Sequence, residues 1–410
     1  MRALITTSYY WPETVGTAPL VTEMAEHFAS RGHEVTVVTG YPHYPSWTPP
    51  RERPLRQRER RGQVDIERRW HYVPASQSAL RRAAYEMTLL AGGFTALRGS
   101  APDAVIGVIP SLAAGVHAAA AARLHGRPHG IIVHDLLGRA ATQSGVAGGA
   151  RVAGAVRAAE LATMRRAVRV GVVAEGFRHY LEEGGVDPER IDRVRVWARR
   201  TEPVESPESA SARLGLRRGA IVCLHAGNMG HKQGLANLLE TAALLRDDQD
   251  LTFALAGDGN ERPRLEEMAG RLRLENVLFL PVQPAGRYEA MLEAADILIM
   301  HQRATVRDMS MPSKLPTYFA AGRPVVAAVA PDSETAREIE ASGGGVVVAP
   351  GDPHALAEAL RRLAADPEER RRLGGTGRAY ADERLSAPAA LAEYERFLDR
   401  IAGAAPGRQR

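Results

Sequence analysis

Residues 309–329 read MSMPSKLPTYFAAGRPVVAAV, and the order of signals in that stretch sets the fold class. A turn-forming Ser310-Met311-Pro312-Ser313 leads into a short helical segment, Lys314 to Ala321, which Gly322 stops. Arg323-Pro324 then opens an apolar, β-branched run from Val325 to Val329. Loop, short helix, glycine stop and buried strand form one unit of an α/β fold. The start of such a helix carries free N–H groups and the positive end of a dipole, so it suits an anion. Lys314 adds a point charge at the same place.

The same rhythm repeats outward in both directions. Upstream, Ala220–Ala226 is a strand that ends in Gly227-Asn228-Met229-Gly230-His231-Lys232-Gln233-Gly234, and a helix, Leu235–Leu245, begins at once. Three glycines and a lysine between strand and helix can wrap a phosphate with backbone N–H groups. The spacing is not that of a P-loop. Strand Leu251–Ala256 ends in Gly257-Asp258-Gly259, and Val277–Leu280, Asp296–Met300 and Gly345–Val348 are further strands between helical patterns. The first half shows the same alternation: strands Ala3–Thr7, Glu34–Thr39, Ala104–Val108, Gly130–Val133, Val170–Val173 and Val194–Trp197, with helices over Val21–Ser30, Arg81–Leu97, Leu112–Leu124 and Glu175–Gly184. Two such halves predict two Rossmann-like, doubly wound domains facing each other across a cleft. The Pro-, Ser- and Glu-rich run Arg199–Ala212 reads as the linker between them.

Composition narrows the function classes. The 410 residues suffice for two domains, and no run of 18 apolar residues suggests a transmembrane helix. MRALITTSYY reads as a first strand rather than a signal peptide, and a single cysteine, Cys223, fits a reducing cytoplasm. Of 53 basic residues only Lys232 and Lys314 are lysines. Where a chain otherwise uses arginine, these two mark places that need a compact ammonium rather than a guanidinium fork. Arg51–Arg69 holds eight arginines against Glu52, Glu59, Asp65 and Glu67. It reads as a solvated loop, or as a docking surface for an anionic acceptor or anionic lipid headgroups. No nucleic-acid motif accompanies it. His134 and Asp135 close the strand Gly130–Val133, where catalytic groups sit in this architecture. The alternative is that His134 only caps the strand. His125 and His129 are separated by Gly126 and Pro128, which disfavours a helical metal pair, and no metal motif is found.

In sequence order, YYWPE (Tyr9–Glu13), RGHEVTVVTGYPHYP (Arg31–Pro45), HDL (His134–Leu136), GFRHYLEEGGV (Gly176–Val186), GNMGHKQG, AGDGNE, ADILIM, PSKLPTYFAAGRPVVA, PDSETAREIEASGGG and APGDPHALAEAL give a combined signature. Through them, over nearly its whole length, the chain resembles the family 4 glycosyltransferases of GT-B fold. It is closest to the colanic-acid and O-antigen branch. The resemblance implies a retaining, metal-independent transfer from a nucleoside diphosphate sugar, UDP or GDP, without a cofactor. It assigns residues 1–198 to the acceptor side, 199–212 to the linker and 213–385 to the nucleotide sugar. A helix at 386–402 can reach either domain, and 403–410 is a frayed tail. Lys232, Asn228 and Ser313-Lys314-Leu315 fall on the family's diphosphate-binding positions, with Gly16 beside the phosphates. His134 and Asp135 fall on its catalytic strand end, and Met309, Ser310 and Thr317 on the donor ribose and sugar.

Several residues depart from the family pattern. Met309 and Thr317 stand where many relatives carry glutamates, Asn228 where a basic residue is common, and Val196-Trp197 and Leu137-Gly138 near the cleft are unusual. The acceptor is therefore open between a lipid-linked sugar of surface polysaccharide assembly and a small soluble molecule of antibiotic or thiol-sugar pathways. The first places the protein in the cytoplasm, peripheral at the inner face of the membrane. A non-catalytic GT-B activator or scaffold is the rival of another class, and a sugar-nucleotide epimerase is a third reading.

Overall fold

Continuous apolar runs between glycine-marked turns become the inner strands of two parallel sheets, as expected for strands covered on both faces. The computed structural model describes residues 1–44, 46–75, 78–136, 149–248, 250–306 and 314–404. The chain divides at Arg195/Val196 into two compact units, and the segment from Ala390 onward belongs with the first of them.

The first unit is built from β1 (Arg2–Thr6), α1 (Ala18–Ser30), β2 (Glu34–Thr39), β3 (Arg56–Arg61), β4 (Val64–Arg69), α2 (Ala79–Phe94), β5 (Ala104–Ile109) and α3 (Leu112–His125). β6 (His129–Val133), α4 (Gly149–Arg166), β7 (Arg169–Val172), α5 (Glu175–Glu183) and β8 (Ile191–Arg193) follow. Strand order is β3-β4-β2-β1-β5-β6-β7-β8, all parallel except the edge strand β3. The order reverses at β1, so the loop after β1 opens at a topological switch point, where such sheets take ligands.

The second unit holds α6 (Pro207–Leu214), β9 (Ile221–Ala226), α7 (Ala236–Leu244), β10 (Leu251–Ala256), α8 (Arg262–Leu272), β11 (Val277–Leu280), α9 (Arg287–Ala294) and β12 (Ile297–His301). It continues with α10 (Leu315–Ala320), β13 (Val325–Ala328), α11 (Glu334–Ser342), β14 (Gly345–Val348), α12 (Pro353–Ala365) and α13 (Pro367–Arg384). The sheet is fully parallel in the order β11-β10-β9-β12-β13-β14. Its switch point is β9. Alternate residues enter separate cores: Leu224, Ala254, Leu298 and Val325 pack with Tyr318 and Phe319 on one face, and Cys223, Phe253, Ile297 and Val326 with Leu360 on the other.

The last helix, α14 (Ala387–Gly403), completes the first unit. Ile401 and Phe397 lie over Gly130 of β6 and Gly171 of β7; a Cβ on Gly130 would come within 2.3 Å of Ile401 Cδ1. Arg31–Glu395 (2.9 Å), Arg195–Glu393 and Arg400–Asp192 ion pairs fasten its polar side.

Three expectations need correction. Arg51–Arg69 is not a loop. Gly62, at φ 57°, turns β3 back on β4 as an antiparallel hairpin at the sheet edge. Its arginines are largely paired: Arg58 and Arg69 with Glu67, Arg60 with Asp65, Arg61 with Glu26 of α1, and Arg68 with Glu59. Arg68 is only 3% exposed and also donates to Gly40 O and Trp11 O. Alternating charge on an edge strand keeps its open side from pairing with another chain. Second, Val194–Trp197 is buried but is not a strand, since β8 ends at Arg193. Third, the linker composition hides a helix: Ser206 caps α6 by accepting from Ser209 N–H, with Pro207 at the first turn.

Candidate functional site

In the second unit the site begins where β9 runs out. Ala226 is pinned by Tyr318 of α10, whose hydroxyl accepts from Ala226 N–H at 2.9 Å and donates to Ala226 O at 3.0 Å. Gly227 follows at φ 126° and Gly257, after β10, at φ 136°. A Cβ on Gly257 would stand 2.0 Å from Gly227 O, so the two strand-end turns touch backbone to backbone and only glycine fits. Gly227 N–H donates to Ala256 O (2.7 Å), Met229 N–H to Asp258 O (2.8 Å) and Glu261 N–H to Met229 O (3.0 Å). The glycine loop is thus anchored along its length. It ends in a single 3-10 turn, His231–Gln233, which presents Lys232 in an exposed position.

Lys314 reaches this loop from the other side. Its stem passes over Gly227, where a Cβ would lie 2.5 Å from Lys314 Cε and 2.8 Å from Nζ. Nζ stands 3.3 Å from Nε2 of His225, a fully buried side chain on β9. The His225 Nδ1 lies 3.3 Å from Ile299 O and so carries the proton, leaving Nε2 to accept from the ammonium. Burial first, then the Lys314 charge, hold His225 well below its ordinary pKa, so the ring is neutral. Burial also lowers Lys314 to about 8. Among the described residues no carboxylate lies within ion-pair distance of Lys314. Among the described residues nothing compensates its charge beside the glycine loop, and an anion would do so.

Two neighbours extend the cationic surface. Arg303 donates its backbone N–H to Lys232 O at 2.9 Å, and its guanidinium lies 2.9 Å from His231 Nε2. His301, ending β12, holds the loop from behind: Nδ1–H donates to Gln233 O at 2.6 Å. Asn237 Oδ1 is placed 2.7 Å from Nε2; burial keeps the ring neutral and Nδ1 carries its proton, so Nε2 is an acceptor and the contact requires the amide turned with its NH₂ toward the ring. That orientation gives the otherwise unpartnered Asn237 amide nitrogen its acceptor.

The expected residues fare unequally. Lys314, Lys232 and Asn228 come together around one loop. Leu315 is buried in the apolar core. The helix-start argument also weakens: α10 is six residues long, and Pro316 removes one of its first N–H groups. Thr317 is partly buried on that helix. Ser313, Met309 and Ser310 lie outside the described residues, as do Leu137 and Gly138. His225, Arg303 and His301 were missed by sequence reasoning. A histidine or arginine at or just past a strand's carboxyl end was the available signal, already applied to His134.

In the first unit His134 follows β6, with its N–H donating to Ile109 O (3.1 Å). Its side chain is buried and burial lowers its pKa to about 4, so at neutral pH it is an uncharged hydrogen-bonding group. Asp135 next to it is partly buried. Gly16 is exposed at φ 68°, in the loop after β1, with Tyr44 across from it. Glu13 ties this loop to the one after β2, accepting from His43 N–H (2.7 Å) and Tyr44 N–H (2.8 Å). Glu13, His43, Tyr44 and Thr48 line a recess of about 380 Å³. Behind it His43 packs edge-on or tilted against Trp47, His71 and Tyr85, and Arg82 stacks on Trp47 and Tyr85. Among the described residues Glu13 Oε2 and His43 Nε2 are buried without a partner.

Comparisons with known proteins match both halves of the chain. The model of the glycosyl transferases group 1 matches residues 208–380, and that of the glycosyl transferase 4-like domain matches residues 15–197. The putative colanic acid biosynthesis glycosyl transferase WcaI of Escherichia coli K12 is 29% identical over 406 residues, covering 96% of this chain and 98% of that protein. Among solved structures, sucrose-phosphate synthase of Thermosynechococcus elongatus superposes with a TM-score of 0.76 at 18% identity, over 98% of both chains. Anabaena Alr3699/HepE in complex with UDP gives 0.69 at 18% identity, over 97% of this chain and all of that one. The chain belongs to the family 4 glycosyltransferases of GT-B fold, near the colanic-acid branch.

Proposed function

We propose that this glycosyltransferase takes a sugar from a nucleoside diphosphate sugar and transfers it, with retention, to an acceptor of cell-surface polysaccharide assembly. The observation that carries the donor reading is Lys314: an ammonium with no carboxylate partner among the described residues, held by neutral His225 against the glycine loop that bears Lys232. As the bond between anomeric carbon and phosphate oxygen breaks, negative charge collects on the leaving diphosphate. A fixed ammonium and oriented N–H groups stabilise that charge without reorganising. The acceptor hydroxyl forms the new bond to the anomeric carbon and gives its proton to the departing phosphate. Neutral His134 suits a hydrogen bond to a sugar hydroxyl near the reacting centre. The relative that covers the chain end to end is itself named for colanic acid biosynthesis, which supports a polysaccharide acceptor, and the structural neighbour with bound UDP supports a uridine donor.

A thermal-shift panel with UDP, GDP, dTDP and ADP tests the donor. One nucleotide should raise the melting temperature through its selective binding to the folded state, and Lys314→Ala and Lys232→Ala should each blunt that rise. Slow hydrolysis of the matching sugar nucleotide, with the released sugar's first-formed anomer read by NMR, then tests chemistry and retention together. Nucleotide binding without hydrolysis or transfer to any acceptor would instead identify a non-catalytic member of the fold.

A further inference from the structure

Two side chains from the connection after β12 cross the glycine loop, one at each end. Lys314 passes over Gly227, the first glycine, and Arg303 over Gly234, the last, where a Cβ would stand 2.9 Å from Arg303 Cγ. Each is held by an imidazole instead of a carboxylate: Lys314 Nζ by His225 Nε2 at 3.3 Å, and Arg303 Nη1 by His231 Nε2 at 2.9 Å. A guanidinium only donates, so His231 accepts through Nε2 and its ring is neutral in this contact. A neutral partner fixes the direction of a cation and leaves its whole charge for a ligand.

The loops after β9 and β12 are also the walls of the crevice at which this sheet takes ligands, because the chain leaves β9 toward β10 and β12 toward β13. Residues 225–235 and 301–306, which supply those walls, contain no aspartate or glutamate. Among the described residues none of Lys232, Arg303 and Lys314 is paired with a carboxylate. Asp258, on the neighbouring turn, accepts from Gly259 N–H at 2.8 Å. Asn228 adds no charge, and its amide is folded onto the loop: a Cβ on Gly230 would stand 2.9 Å from Nδ2 and one on Gly259 2.8 Å from Oδ1. Three cations therefore border one crevice. The diphosphate of a sugar nucleotide carries about two negative charges at neutral pH, so the lysines match it and Arg303 is in excess.

We propose, resting on the donor reading above, that Arg303 meets the charge that appears only when the sugar leaves. When the bond between the anomeric carbon and the phosphate oxygen breaks, its electron pair stays on that oxygen, and the diphosphate gains one negative charge. The proton that the acceptor hydroxyl gives to the phosphate passes on to solvent, because a terminal phosphate with a pKa of about 6 is ionised at neutral pH. A guanidinium already oriented by His231 meets the new charge without reorganising. The intact donor lacks that charge, so the interaction favours the transition state over the ground state. Arginine suits the place chemically, since its planar fork keeps N–H groups for a phosphate after one is engaged by His231. His231 is a positioning residue in this scheme. The bond from Arg303 N–H to Lys232 O at 2.9 Å ties the arginine backbone to the turn that carries Lys232, and a side-chain substitution leaves that bond in place.

The test is isothermal titration of the full chain at pH 7.5 with UDP and with its terminal methyl ester (or the GDP pair, where the thermal-shift panel selects GDP). The ester keeps the diphosphate but only about two of its charges, so it stands in for the intact donor. Wild type should bind UDP more tightly than the ester. Arg303→Gln should weaken UDP by about tenfold or more and the ester by less than about threefold, with an unchanged melting temperature. Arg303→Lys keeps the charge and should recover part of the loss, and His231→Ala should shift the ratio in the same direction as Arg303→Gln, by less. Lys232→Ala should weaken both ligands alike. Arg271→Gln on α8 removes one positive charge from the same unit and should change neither. With a sugar nucleotide that is hydrolysed, Arg303→Gln should lower kcat more than it raises KM. Equal weakening of UDP and ester by Arg303→Gln would make Arg303 a part of the loop's scaffold and overturn the proposal, as would unchanged affinity for both. Either result, with UDP still bound through Lys314, leaves the donor reading standing alone; a wild type that binds no nucleotide ends the donor reading and the proposal together.

Discussion

Replacing Lys314 by methionine keeps the length of the side chain and removes its charge, and the structure makes this variant informative in two opposite ways. In the unliganded protein burial lowers the Lys314 pKa from the usual 10.5 to about 8, so holding it charged at pH 7 costs up to roughly 3 kcal/mol. The penalty is fully present below pH 8 and fades as pH rises toward 10.5, where the unfolded chain binds the extra proton and stability climbs with pH. Lys314→Met should therefore raise the melting temperature of the unliganded protein. It should also weaken UDP at pH 7 by roughly 10- to 150-fold, the equivalent of losing a hydrogen bond to a charged partner. The wild type adds a pH signature. A bound diphosphate raises the Lys314 pKa, so affinity should fall as pH passes 8 and be about tenfold weaker at pH 9 than at pH 7. The terminal phosphate, with a pKa of about 6, is already ionised over that range and contributes little. Isothermal titration of UDP into wild type and Lys314→Met at pH 7, 8 and 9 reads all of this. A wild-type affinity that stays flat, or a variant that keeps the wild-type slope, refutes the assignment of the diphosphate to Lys314.

Three further perturbations probe the surrounding structure. Gly227→Ala would push a methyl group into the Lys314 stem at a backbone angle that alanine rarely adopts, so UDP affinity should fall with Lys314 itself intact; titration checks it, and unchanged affinity would mean that the stem is free to move. Arg68→Met strips Glu59, Gly40 O and Trp11 O of their buried donor, and urea unfolding should show a loss of about 3–5 kcal/mol. A loss below about 1 kcal/mol would make the hairpin pair no better than a surface contact. His134→Ala should cut kcat more than it changes UDP affinity. Because the ring is neutral above a pKa of about 4, its titration should leave no inflection in the rate profile between pH 6 and 8.

The parallel sheets were legible because buried strands announce themselves as short apolar runs between glycine turns, and because the chain repeats that pattern in each half. Lys232 and Lys314 stood out for a chemical reason, the near absence of lysine elsewhere, and they do meet at one loop. What the sequence hid was pairing across distance. Arg61 finds Glu26 on α1, and Lys314 finds His225 on a strand 89 residues away; neither partner has a local signature. The hairpin could have been read: Gly62-Gln63 precedes Val64 and Ile66, which alternate inward, yet the surrounding charge masked that period. The α6 linker shows the same masking, since serine and proline that look like loop residues are also what starts a helix.

The return of α14 to the first unit fixes an order of events during synthesis. The second unit is finished when Ala389 leaves the ribosome, whereas β6 and β7 of the first wait for Phe397 and Ile401 to cover Gly130 and Gly171. The half of the protein made first is therefore completed last. A chain cut at residue 386 would carry most of the second unit beside a first unit whose β6 and β7 stay uncovered. Removing the segment from Ala390 onward should therefore destabilise the unit farthest from it in sequence.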